Sequence, residues 1–121
     1  IRDADKLDIL RVFTEYYLHR DKETNPALES DLPDTPGCSP VLVENLLQGR
    51  GCSYADMKNF NDRKLLMLSW IYDINFLYTL SEIVREGLIE KIIDSLPDTG
   101  DIKKIRVFLK DYVSQKNRGT A

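Results

Sequence analysis

Apolar residues in this chain recur at three- and four-residue steps, and no segment shows the period of two that marks a half-buried strand. A chain with only that pattern can bury its apolar stripes in one way, helix against helix. In residues 3–18 the stripe is Ile9, Leu10, Phe13, Tyr16 and Tyr17. Val41, Leu42, Leu46 and Leu47 build a short helix that stops near Gly49 and Gly51. The segment 61–73 carries Leu65, Leu66, Leu68, Trp70 and Ile71 on most sides, which predicts the most buried element. Helical pattern continues over 74–85 after a break near Asn75, and again over 88–96, where Pro97 ends it. A last helix over 101–116 sets Ile102, Ile105, Phe108, Leu109, Tyr112 and Val113 opposite Lys103, Lys104, Arg106 and Lys110. The expected fold is all-α, an irregular bundle of five or six helices forming a single domain over 1–121.

Punctuation agrees with those limits. Ser39 before Pro40 is an N-cap and first-turn signal. Ser53-Tyr54-Ala55-Asp56 has capping-box spacing with Asp in the acidic place. Gly87 fits a left-handed helix end. Residues 20–37 are polar, contain three prolines and read as an extended connection. "DLPDTP" at 31–36 echoes "SLPDTG" at 95–100, but the flanking helices do not repeat. The echo is one local device used twice, Pro stopping an element and Asp or Thr starting the next.

Composition removes several functions. With 42% hydrophobic and 31% charged residues the chain can build one core. A net charge of −3 gives no general attraction to nucleic acid or to an anionic membrane. No apolar run approaches the roughly 20 residues that span a bilayer. No signal peptide is visible, and a cytoplasmic location is expected. Cys38 and Cys52 are the only cysteines, and reduced thiols are the expectation. His19 is the only histidine, too few ligands for a Cys-His zinc site. A phosphate loop, a GxSxG elbow and an HExxH motif are all absent.

The residues left for chemistry lie at the front. Asp3, Asp5 and Asp8 fall within the first eight residues. Asp3 and Asp5 meet the positive end of the helix dipole. Asp5 and Asp8 share a helical face, and carboxylates at that spacing suit Mg²⁺ or Mn²⁺ as well as they suit solvent.

"IRDADKLDIL" at 1–10 resembles the last conserved helix of HD-domain phosphohydrolases. The resemblance runs on through "RVFTEYY" at 11–17 and "LSWIYDINFLYTL" at 68–80, followed by "LPDT", and covers most of the chain. It looks like the C-terminal part of a group of bacterial HD proteins. The resemblance implies an all-α fold and one or two divalent metals held by an early His, a His-Asp pair and a late Asp. The late Asp sits in an Ala-Asp-Lys/Arg-Leu setting, which Ala4-Asp5-Lys6-Leu7 matches. Asp5 is therefore the expected metal ligand, for Mn²⁺ or Mg²⁺ with Fe, Co or Ni as alternatives. Such an ion neutralises charge on a phosphoryl oxygen and lowers the pKa of a water. Lys6 is a candidate phosphate contact, with an outward, solvated lysine as its other reading. Asp8 is a candidate partner of the ligand, or a surface charge.

The chain departs from that pattern too. It has no His-Asp dipeptide, His19 being followed by Arg20, and the early His has no counterpart. One of four ligand positions holds no metal tightly, so the chain alone is expected to be inactive. It opens inside the motif without methionine, and the expectation is the C-terminal part of a longer HD-domain protein, a degenerate relative being the alternative. The expected substrate is a phosphate ester such as a nucleotide. The expected partners are an N-terminal half or a second copy, not a membrane or nucleic acid. The rival function is a non-catalytic helical protein-interaction module.

Three further readings concern single residues. Trp70, Tyr72, Phe76 and Tyr78 are expected to pack in the core, with base stacking as the alternative. Asp73, if buried, is expected to find donors by capping near Asn75. The basic face of the last helix is expected to be solvated.

Overall fold

The computed structural model describes residues 3–19 and 37–118. They form six α-helices: α1 Asp3–His19, α2 Pro40–Leu47, α3 Phe60–Ser69, α4 Leu77–Arg85, α5 Leu88–Asp94 and α6 Gly100–Arg118. Two 3-10 turns, Tyr54–Asp56 and Trp70–Asp73, interrupt them. No strand occurs among the described residues, and the fold is an all-α bundle as the periodicity requires. The connection at 20–36 and the first copy of the Leu-Pro-Asp-Thr echo lie outside the described residues, as do the side chains of Tyr17 and His19. No described helix is long and apolar enough to cross a membrane.

The elements start and stop for local reasons. Ser39 sits in extended conformation before Pro40, whose missing N–H falls where a helix has no acceptor for it. Ser39 makes no side-chain cap of its own. Its Oγ donates to Asp62 Oδ2 (2.5 Å) and its N–H to Asp62 Oδ1 (2.7 Å), which binds the start of α2 to α3. Gly49, at φ +71°, lies past the end of α2. Asn59 caps α3 by accepting from the Asp62 N–H (2.9 Å), a cap the periodicity did not mark. Ser53 accepts from the Ala55 N–H but opens a single 3-10 turn, because no α-helix follows to complete a capping box.

The helix expected over 61–73 is shorter than its apolar pattern. α3 ends at Ser69, whose hydroxyl donates to the Leu66 carbonyl (2.6 Å). That bond competes with the helical ladder, and the chain tightens into the 3-10 turn before Ile74 turns extended. The break near Asn75 is real and occupies 74–76. Gly87, at φ +67°, ends α4 and begins α5 in one residue.

One core unites all six helices. α5 touches α1, α3, α4 and α6 and so lies centrally, with Leu88, Ile89, Ile92 and Ile93 buried. α3 is buried almost all round, as its pattern predicts. Against this core lie Trp70 and Tyr72, half-buried. Tyr72 donates to the Leu46 carbonyl (2.6 Å) and meets Tyr112 edge-on at 4.9 Å between centroids. Phe76 and Tyr78 do not join them: they are 68% and 74% exposed at the start of α4. The apolar stretch that contains all four is broken by the 3-10 turn, and residues beyond that break take their own direction.

Candidate functional site

α1 divides its charged residues by face. Leu7, Leu10 and Phe13 are buried, and so are Asp3 (6% exposed) and Lys6 (7%), one turn apart on the same side. Asp5 and Asp8 project to the exposed side. The helix is thus amphipathic in an unusual sense, with two oppositely charged residues on its packed face.

Both members of that pair reach the break between the Trp70–Asp73 turn and α4. Asp3 Oδ2 accepts from the backbone N–H groups of Phe76 (2.7 Å) and Asn75 (2.9 Å), and Oδ1 from Asn75 N–H (3.1 Å) and Nδ2 (3.4 Å). Lys6 Nζ donates to the Asp73 carbonyl (3.0 Å). A carboxylate therefore meets the amide end of one helical element and an ammonium the carbonyl end of the one before it, the arrangement both dipoles favour. Burial penalises the charged Asp3 carboxylate. The donors of Asn75 and Phe76, with the Lys6 charge, outweigh that penalty and hold its pKa below 3.8.

Farther along, Arg11 grips Glu86 with Nε at 2.9 and 3.0 Å from the two carboxylate oxygens. This hydrogen-bonded pair raises the Arg11 pKa and lowers that of Glu86. Asp8 faces the same guanidinium at 3.5 Å with its side chain 73% exposed, a surface charge. Among the described residues Asp5 makes no hydrogen bond or ion pair. Of three aspartates in two turns, one is enclosed by amides, one faces an arginine, and one has no partner among the described residues.

Several sequence expectations change here. Asp73 is exposed and does not cap the break: Asp3 does, from 72 residues away. Lys6 is not an outward, solvated lysine, since its ammonium is buried against the Asp73 carbonyl. On α6, Arg106 is half-buried and paired with Glu90 and Asp94, while Lys103, Lys104 and Lys110 are exposed, so the basic face is solvated and partly neutralised. Cys38 and Cys52 are both half-buried and free, and burial, with Asp62 nearby, pushes the Cys38 thiol up to about 11.

As a metal ligand, Asp5 would offer a hard oxygen donor on an exposed helix face, without a partner among the described residues, which suits Mn²⁺ or Mg²⁺. It offers only one. No group of three His, Cys, Asp or Glu side chains comes together among the described residues. The described residues thus fit one corner of a metal site and not a complete one.

No protein-family profile matches the chain, and no curated protein or solved structure is significantly similar to it.

Proposed function

We propose that these residues are the C-terminal helical part of a cytoplasmic, metal-dependent phosphohydrolase of the HD superfamily, with Asp5 as the last metal ligand. One observation carries the reading: within a motif that resembles that family's, the aspartate at the ligand position is the one whose carboxylate has no described partner and lies open to solvent. The remaining ligands come, in this proposal, from polypeptide outside these 121 residues, and the substrate is a phosphate ester such as a nucleotide. The ion would supply charge neutralisation on the phosphoryl group and activation of a water. Asp5 would give it one carboxylate oxygen. Asp8 and Arg11, exposed farther along the helix, would set the charge near it.

The second reading, a non-catalytic helical interaction module, is favoured by Phe76, Leu77 and Tyr78, three successive exposed apolar residues at the start of α4. One measurement separates the two. The full-length protein is assayed with Mn²⁺ against p-nitrophenyl phosphate and a panel of nucleoside monophosphates, beside Asp5→Ala and Asp8→Ala. The phosphohydrolase reading expects Mn²⁺-dependent release of phosphate, lowered at least a hundredfold by Asp5→Ala and less than threefold by Asp8→Ala. Equal rates for wild type and Asp5→Ala, or no hydrolysis of any ester, favour the module.

A further inference from the structure

The side that α4 turns to solvent has the same layout from either end of the helix. Thr79, Leu80 and Ile83 are buried, while Leu77, Tyr78, Ser81, Val84 and Arg85 are exposed. Ser81 is the middle residue of Leu77–Arg85. At about 100° per residue, Leu77 and Val84 fall within about 20° of each other on one flank of Ser81. Tyr78 and Arg85 fall within about 20° of each other on the opposite flank. The first flank borders a cavity of about 340 Å³ walled by Ile83, Val84, Gly87, Ile89, Leu109 and Val113. Nothing lies within 4 Å of where a side chain on Gly87 would begin, so the cavity is open at the end of α4.

We propose that this face pairs with the same face of a second copy of the chain, the two α4 helices running antiparallel about a two-fold axis at Ser81. A two-fold axis makes every contact twice, with residue i on j and j on i. Counted outward from Ser81, Leu77 then meets Val84 of the second copy on the cavity flank. Tyr78 meets Arg85 of the second copy on the other flank. The small Ser81 side chain lets the helices approach to the roughly 8–10 Å of packed helices. Arg85 keeps its bond to Glu82, Nε to Oε2 at 2.9 Å, and lays the flat face of its guanidinium on the Tyr78 ring. Phe76, one residue ahead of α4, arrives level with Glu86 and Gly87 of the second copy, at the mouth of the cavity. A benzene ring needs a cavity of only about 150 Å³, so the Phe76 ring has room to enter.

The exposed surface matches what such a dimer requires. At about 200 Å² per aromatic residue, Phe76 at 68% and Tyr78 at 74% exposure leave roughly 280 Å² open on each copy. Leu77, Val84, the stem of Arg85 and the cavity walls bring the two copies together to the roughly 1,000 Å² at which a specific interface begins. Aromatic side chains seated in pockets carry most of the energy of such contacts. An unrelated partner would not require the face to be symmetric about Ser81; a second copy does. Asp5 takes no part in this face, so the dimer and the metal reading stand or fall separately.

The test is sedimentation velocity of the full-length protein over a concentration series, with circular dichroism on the same samples. Wild type is expected to pass from monomer to dimer in the micromolar range. Ser81→Arg sets two like charges on the axis and is expected to weaken association at least tenfold, as is Val84→Glu. Tyr78→Ala weakens it by less than either. Val41→Glu, at an exposed site on α2, leaves it within twofold. Ser81→Cys brings two thiols together at the axis, and mild oxidation should convert it to a covalent dimer beyond anything seen for wild type or Val41→Cys. Ser81 is exposed, so these replacements spare the core. Should Ser81→Arg lose its helical spectrum, Val84→Glu and the Ser81→Cys crosslink decide. A protein that stays monomeric throughout, or a dimer that Ser81→Arg and Val84→Glu leave at wild-type strength, overturns the proposal.

Discussion

Asp3 is the residue whose fate a local reading could not supply. Its place in the first turn of a helix accounts for a negative charge there, and nothing in its neighbours says that the carboxylate turns inward to amides 72 residues away. Replacing it with alanine removes the acceptor of two partly buried backbone N–H groups, a loss of about 1 kcal/mol. The pH dependence has a definite sign. The folded carboxylate has a pKa below the ordinary value of 3.8, so its stabilisation is present above that value and is lost as pH falls through the lower, folded one. The melting temperature of wild type should therefore exceed that of Asp3→Ala by a constant margin from neutral pH down to about 5, and the margin should shrink below about 4. Melting curves taken across that range check it, and a margin that does not change with acid contradicts the assignment. Asp5 presents the opposite case. Its exposure follows from helical periodicity, because Leu7 and Leu10 fix the inner face, and the motif around it is visible in four letters.

At the scale of the element, the periodic pattern located every described helix, and the misfits are where side-chain hydrogen bonds override it. The helix expected to run to 73 stops at Ser69 because a hydroxyl, invisible to an apolar stripe, takes the Leu66 carbonyl. Asn59 begins α3 through a side-chain cap one residue ahead of the expected start. Aromatic spacing placed Phe76 and Tyr78 with Trp70 and Tyr72, and the break at 74–76 turns them outward. Glycine signals fared better, since they report backbone conformation directly. Gly87 sits at φ +67° with open space around it, so a methyl group there meets no atom and the cost is the left-handed backbone alone. Gly100 opens α6 with negative φ and equally open space. The same substitution should have opposite signs at the two sites: Gly87→Ala lowers stability by about 1–2 kcal/mol, and Gly100→Ala raises it by about 0.4–1 kcal/mol. Urea titrations of both variants measure this, and a shared sign would show that the Gly87 conformation is not what joins α4 to α5.

For the whole molecule, all-α architecture follows from the absence of any period-two segment and one core from the composition, and the described residues show six helices packed on one apolar cluster. What an isolated stretch of sequence cannot carry is the meeting of distant parts: α1 with residues 73–76, Arg11 with Glu86, Ser39 with Asp62. These cross-chain bonds place Asp3 and Lys6 inside and leave Asp5 outside, and on that partition the proposed function depends. The bundle holds Asp5 on the exposed face of α1 with no partner among the described residues, while three exposed apolar residues stand at the start of α4. The most direct measurement is anomalous diffraction from crystals of the full-length protein soaked in Mn²⁺. The account predicts an anomalous peak roughly 2.0–2.2 Å from an Asp5 carboxylate oxygen, with Asp3 still bonded to the amides of Asn75 and Phe76. A Mn²⁺ peak held by other residues, with the Asp5 carboxylate standing in solvent, would contradict it.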